Sequence, residues 1–303
     1  MAAMKKRLLS ALFCLCFLLA ALPGPAYGDI GPKPSVVVSF EGLAGETYYA
    51  TLLSQTSSTG PYSAAKSGGS ARYYDEDQEA QKAHLKFLDY QDRDGFYYLQ
   101  FLTDCSKTQE LKWTYYPPQE FKILLYFLEY DSFAVSAEGY SRYAFDSYYK
   151  VDVSEKSVSE ITKEAVISAQ KNYDYTAETL NLLARILLTV LAETALALPF
   201  GYSGKKQLKF IAAVNIGTQG LLNLALNVIN YSRGPWAFKL YYVLLELLVL
   251  AIEGALYRER LEGYGDKPSS AAGKGPVTRY ALLANLASFF LGLILAEKLP
   301  GLF

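Results

Sequence analysis

The chain reads as a membrane protein: a β-rich, sandwich-like domain outside the cytoplasm, followed by an all-α bundle of four transmembrane helices. Three observations predict this. A secretory signal opens the chain, β-branched and aromatic runs of strand length follow it, and four long apolar segments fill the second half.

The signal comes first. Lys5, Lys6 and Arg7 form a positive start, and Leu8 to Leu22 is an apolar run too short to span a bilayer comfortably. Pro23-Gly-Pro breaks the run, and Ala26 and Gly28 place small residues before Asp29, so residues 1–28 are expected to be removed after Gly28. No Cys stands at that junction, which argues against a lipoprotein.

Residues 29–153 are the expected extracytoplasmic domain. Ser35–Phe40, Thr47–Leu53, Phe96–Leu102 and Phe121–Leu128 have strand character, with more strand from Tyr140 to Val153. Asp75 to Leu88 is the one helix expected there, giving a small sandwich with a helical insertion. Between Asp29 and Glu178 there are 23 acidic residues against 14 Lys and Arg. An acidic surface argues against nucleic acid as a partner. Cys14 and Cys16 fall in the signal, so the mature chain keeps Cys105 alone and no intramolecular disulfide. His84 is the only histidine, so a Ser–His or Cys–His catalytic pair would have to pass through it. Its helical context reads as a solvated face.

Asp89-Tyr-Gln-Asp92-Arg-Asp94-Gly95 resembles a calcium loop. With Gly95 at position 6 of an EF-hand, however, Tyr90 takes position 1 and Phe101 position 12, and neither coordinates. A turn before a strand is the better reading, with an irregular calcium site left open. Residues 154–178, with Val158, Ile161, Ala165, Val166 and Ala169 at helical spacing, predict an amphipathic helix connecting the two domains.

Residues 179–303 carry the membrane domain, with spans expected at about 180–198, 208–229, 237–257 and 280–299. Phe200, Tyr202, Tyr231, Trp236, Tyr257 and Tyr280 mark their ends as an interfacial belt. Export of the first domain puts the loops after helices 1 and 3 inside. Those loops and their flanks hold Lys205, Lys206, Lys209, Arg258, Arg260, Lys267, Lys274 and Arg279, whereas the outer loop holds Arg233 and Lys239. The positive-inside bias agrees with the signal, so the expected location is the cell (plasma) membrane, multi-pass, with the N-terminal domain outside.

The candidate site is a layer of polar residues inside the membrane: Glu193, Asn215, Gln219, Asn223, Glu246, Glu253 and Asn285. Asn215, Gln219, Asn223 and Asn227 recur every four residues and share one stripe, while Glu246 and Glu253 share a face. Glu193, Asn215 and Asn285 lie roughly 8 to 10 Å from the cytoplasmic helix ends, at 1.5 Å per residue. A charged, lipid-facing carboxylate there costs at least roughly 2.5 kcal/mol, so the glutamates are expected to face inward. Some then stay protonated, or Arg185, a cation or water answers them. The amide stripe by itself reads as an interhelical zipper, and the three glutamates point towards a proton- or cation-linked site. No metal or cofactor is identified, and no catalytic residue or nucleophile constellation is visible.

Asp29-Ile-Gly-Pro-Lys-Pro-Ser35, Asn215-Ile-Gly-Thr-Gln-Gly-Leu-Leu-Asn223, Glu246 with Glu253, and Ala284-Asn-Leu-Ala-Ser288 carry a resemblance over most of the mature chain. It resembles a group of uncharacterised bacterial membrane proteins with an exported N-terminal domain and a C-terminal four-helix membrane domain. That resemblance implies no activity and no site residues. The function expected is membrane-embedded transport or ion coupling, with an outer domain that senses or recruits. A homo-oligomer or membrane partner is expected to complete the pathway, since four helices are few for one. The alternative is a non-transporting receptor, scaffold or envelope-assembly protein on an inert anchor, and an intramembrane enzyme ranks third.

Overall fold

In the computed structural model, residues 31–65, 78–264 and 275–298 are described, so the expected signal segment at 1–28 lies outside them. Strand β2 (Tyr48–Ser54) is buried along its whole length, because its two faces meet two different apolar clusters. Tyr48, Ala50 and Leu52 join one cluster, and Tyr49 and Leu53 join the other. Strand β8 (Glu120–Phe127) pairs antiparallel with β2 and alternates the same way, Phe121, Ile123 and Leu125 against Leu124 and Tyr126. Strands with two apolar faces need cover on both sides.

One cover is a second sheet: β1 (Ser35–Glu41) parallel to β11 (Asp146–Asp152) and antiparallel to β7 (Glu110–Trp113). It contributes Val36, Val38, Phe40, Leu111, Trp113, Tyr149 and Val151 to the shared core. The other cover is helix α1 (Gln78–Asp89), which lays Ala80, Ala83 and Phe87 on the outer face. The β-rich domain is therefore sheet on sheet with one covering helix, as the patterning predicts. It is completed by the hairpin of β3 (Ser58–Thr59) and β4 (Tyr62–Ser63), and by β9 (Ser132–Ser136) and β10 (Tyr140–Ser141), both paired with β8. The expected Phe96–Leu102 strand is interrupted. Gln100 has φ 58°, leaving two short pairings with β2, β5 (Tyr97–Tyr98) and β6 (Thr103–Asp104).

His84 corrects the sequence reading. It is 0% exposed, on the inner face of α1 with Ala80 and Phe87, and its Nδ1 lies 2.9 Å from the Tyr98 hydroxyl. A single helical turn cannot separate a half-polar face from a buried one when a tyrosine reaches in to satisfy the imidazole. After α1 the chain turns at Asp92–Gly95, as expected, with the Gly95 N–H donating to Asp92 O at 3.2 Å. Asp92 Oδ2 accepts from the backbone of Asp94 and Phe96, and the buried Lys122 ammonium lies between the Asp92 and Asp94 carboxylates.

The connecting helix expected over 154–178 is replaced by α2 (Val158–Glu164), then β12 (Val166–Ile167) and β13 (Gln170–Lys171). Ser157 and Glu160 form a capping box at the start of α2, and Ala165 ends it in the left-handed region at φ 56°. Val158 and Ile161 enter the core at helical spacing, then Ile167 and Ala169 at strand spacing. The period changes from 3.6 to 2 at Ala165, a change that five apolar positions alone do not reveal.

The C-terminal region is helical: α3 (Tyr175–Ala197), α4 (Lys205–Arg260) and α5 (Gly275–Lys298). Two of these, α3 and α4, are long and apolar enough to cross a membrane. Helix α4 breaks at Gly234 (φ 80°, ψ −177°), followed by Pro235, and folds back on itself. The pairs Asn215–Tyr257 and Thr218–Glu253 show its two limbs antiparallel, because one number falls as the other rises. The distribution of side chains is inverted relative to a water-soluble bundle. Leu183, Leu187, Leu191, Leu221, Leu224 and Leu247 are exposed, whereas the carboxylates and amides are buried.

Candidate functional site

Every residue of the predicted polar layer is buried, and they fall into two adjoining groups. Glu193 of α3 and Glu253 of the second α4 limb lie side by side at 0% exposure. Asn215 and Ser288 neighbour Glu193. Thr218 Oγ1 donates to Glu253 Oε1 at 2.5 Å, and Asn285 Nδ2 donates to Glu253 Oε2 at 2.8 Å. All four helical segments thus place a polar side chain in one cluster. The local reason is periodicity: each polar residue takes the inward face of a helix whose other faces are leucine-rich.

The two carboxylates are treated unequally. Glu253 has both oxygens engaged by close donors, while the buried Glu193 oxygens have only the looser Asn215 and Ser288 side chains beside them. Asn215 Oδ1 and Asn285 Oδ1 are buried acceptors in the same position. Buried acceptors without a close donor are a costly arrangement, of roughly 1–3 kcal/mol per group. Acceptors gathered around two adjacent carboxylates are what a proton or a small cation satisfies.

The second group sits nearer the β-rich domain. Gln219, Asn223, Glu246 (7% exposed) and Tyr242 line a cavity of about 20 Å³ with Arg185 and Ser288, enough for about one water. Ser288 links the groups, since it also neighbours Glu193. The amide stripe faces inward as predicted, but it is an incomplete zipper. Asn215 Nδ2 crosses to the Tyr257 hydroxyl at 2.9 Å, whereas Asn223 Nδ2 bonds back to Gln219 O of its own limb at 2.8 Å. Gln219 Nε2 and Glu246 Oε2 are buried without partners.

Sequence reasoning named Arg185 only as a possible counter-charge. The structure gives it a larger place: 5% exposed, its guanidinium donates to Asn227 Oδ1 at 2.9 Å, and it lines both the inner cavity and a larger cleft above it. That cleft, of about 310 Å³, opens where the β-rich domain meets α3 and α4. Its residues sit in loops and at helix starts, where no periodicity announces a shared surface. Among the described residues, no cluster of three or more His, Cys, Asp or Glu side chains is placed to hold a metal. No protein-family model, curated protein or solved structure matches the chain.

Proposed function

We propose that the chain is a multi-pass protein of the cell membrane in which α3, the two limbs of α4, and α5 make four crossings around a proton- or monovalent-cation-linked site. The β-rich domain stands outside, where it senses or recruits, and a second copy or a membrane partner completes the pathway. The inverted helical surface supports the bilayer, since exposed leucines with buried carboxylates suit lipid and not water. The contact between the Gly234 break and Phe145 of the outer domain supports the topology, because both belong on one side. The basic residues at 205–209 and 258–260 then fall on the other.

The observation that carries the ion-linked reading is the pairing of Glu193 with Glu253, both fully buried, among amide oxygens that have no close donor. Two carboxylates and two amide oxygens suit H⁺ or a monovalent cation better than the six to eight oxygens of calcium. The test is a set of Na⁺, K⁺ and Li⁺ binding isotherms, with proton release, on purified full-length protein in detergent between pH 5 and 9. Saturable binding that Glu193→Gln and Glu253→Gln remove, with the outer domain still folded, supports the proposal. Binding absent at every pH, or unchanged in both variants, overturns it and leaves a non-transporting receptor or scaffold on an anchor.

A further inference from the structure

We propose that the cleft between the outer domain and the bundle binds a small zwitterion, a neutral amino acid or a dipeptide, with its carboxylate on Arg185 and its ammonium near Glu178 and Asp174. The volume of about 310 Å³ stands at the lower edge of the range for ligand sites, about 300–1,000 Å³. Such sites favour domain boundaries, which is where this one lies.

The lining is polarised along the cleft. Asp174, Glu178, Asn181 and Arg185 follow one another at spacings of four, three and four on α3, so they share one face. Arg185 lies about 10 Å along the helix from Glu178, at 1.5 Å per residue. Carboxylates therefore stand at the open end and a buried guanidinium at the floor, with Asp146 adding a third acid from β11. Each acid is oriented by a bond to one oxygen. Tyr173 donates to Glu178 Oε1 at 2.6 Å, the Ala177 amide to Asp174 Oδ1 at 2.9 Å, and Ser35 to Asp146 Oδ1 at 2.6 Å.

Between the charged ends the walls are aromatic. Tyr173 packs on Tyr231 with centroids 5.3 Å apart and on Tyr148 at 6.2 Å, and Phe238 closes the α4 side. Such rings accept an ammonium on their faces and apolar atoms on their edges. A simple cation would meet the guanidinium at the floor, and a simple anion would meet three carboxylates at the mouth. A molecule carrying both charges matches both ends.

The test is calorimetric titration of the full-length protein in detergent with L-alanine, L-leucine and L-alanyl-L-alanine, beside leucinamide and N-acetyl-L-leucine. At least one zwitterion is expected to saturate, and both blocked derivatives to bind at least tenfold more weakly than leucine. Arg185→Gln is expected to weaken the zwitterion at least tenfold, and Glu178→Gln severalfold. If Arg185→Gln does not fold, the blocked ligands on the unaltered protein decide the matter. The proposal is overturned if none of the three zwitterions saturates, or if either blocked derivative matches leucine. The ion isotherms are read separately, so an intact cleft with an ion-silent bundle would sink only the ion-linked reading.

Discussion

Replacing Gly234 with alanine tests whether the β-rich domain and the helical hairpin form one rigid unit. At φ 80° and ψ −177° the backbone occupies a region that only glycine enters freely, costing another residue about 1–3 kcal/mol. An added Cβ would also stand 2.6 Å from three atoms of the Phe145 ring. That ring is 7% exposed, and its own backbone N–H donates to Tyr231 O at 2.8 Å. Buried as it is, the ring has little free space to turn into, and forced overpacking of this kind costs about 1–3 kcal/mol more. The two costs together give roughly 2–6 kcal/mol, or a loss of about 6–12 °C for a 3 kcal/mol change in a chain of this size. Thermal melts in detergent, followed by tyrosine fluorescence, read the loss. Hydrogen exchange should place it at residues 143–148 and 228–236. Gly254→Ala is the control: nothing lies within 4 Å of its added Cβ, so it should be neutral or stabilising by up to about 1 kcal/mol. A Gly234→Ala protein that melts within a degree of the unaltered one refutes the argument.

Three further outcomes follow from the β-rich domain. Lys122→Met strands the buried Asp92 carboxylate, whose two oxygens lie 3.1 and 3.2 Å from the ammonium. It should cost about 3–5 kcal/mol in urea unfolding, and Asp92→Asn on that background should restore more than half; no recovery would count against a charge-based cost. Burial pushes the Cys105 thiol up, beyond the ordinary value of about 8.5. Iodoacetamide at pH 8 should therefore leave Cys105 unmodified until the protein is denatured, and stability should fall as pH rises past about 8.5. Lys86, then Tyr126, hold the Asp131 carboxyl below its usual range. Its contribution is thus present at neutral pH and lost as pH falls below about 4, and Asp131→Asn should flatten that acid limb.

The parts of the fold visible in the sequence are those where a period repeats. Strands β1, β2 and β8 and the leucine-rich helices carry long, regular patterns, and the glutamate and amide positions inside them are conspicuous because charge is costly there. His84 was misread because Ala80 and Ala83 are weak markers of a buried face, and its partner Tyr98 lies in a different element. Residues 154–178 were misread because Val158 and Ile161 fit a helix and Ala169 happens to continue its count. The unequal treatment of Glu193 and Glu253 was invisible, since it depends on Thr218 and Asn285, 35 and 32 residues from Glu253.

The lost connecting helix changes how the two domains are joined. A single helix running from 154 to 178 would couple the β-rich domain to the helices through one rigid element. Instead β13 pairs with β11, Tyr149 with Lys171 and Lys150 with Gln170, so the chain leaves the sheet only at Asn172, three residues before α3 begins. The second tie is the Phe145–Tyr231 bond beside Gly234, on the opposite wall of the cleft. Asn172 itself donates to Tyr148 O at 2.9 Å, within that lining. Two ties on either side of a cavity resist pivoting in a way that one cannot, because a rotation opening one side compresses the other. A displacement of α3 against α4 would therefore strain the Tyr173–Tyr231 contact, whose ring centroids lie 5.3 Å apart between the two ties.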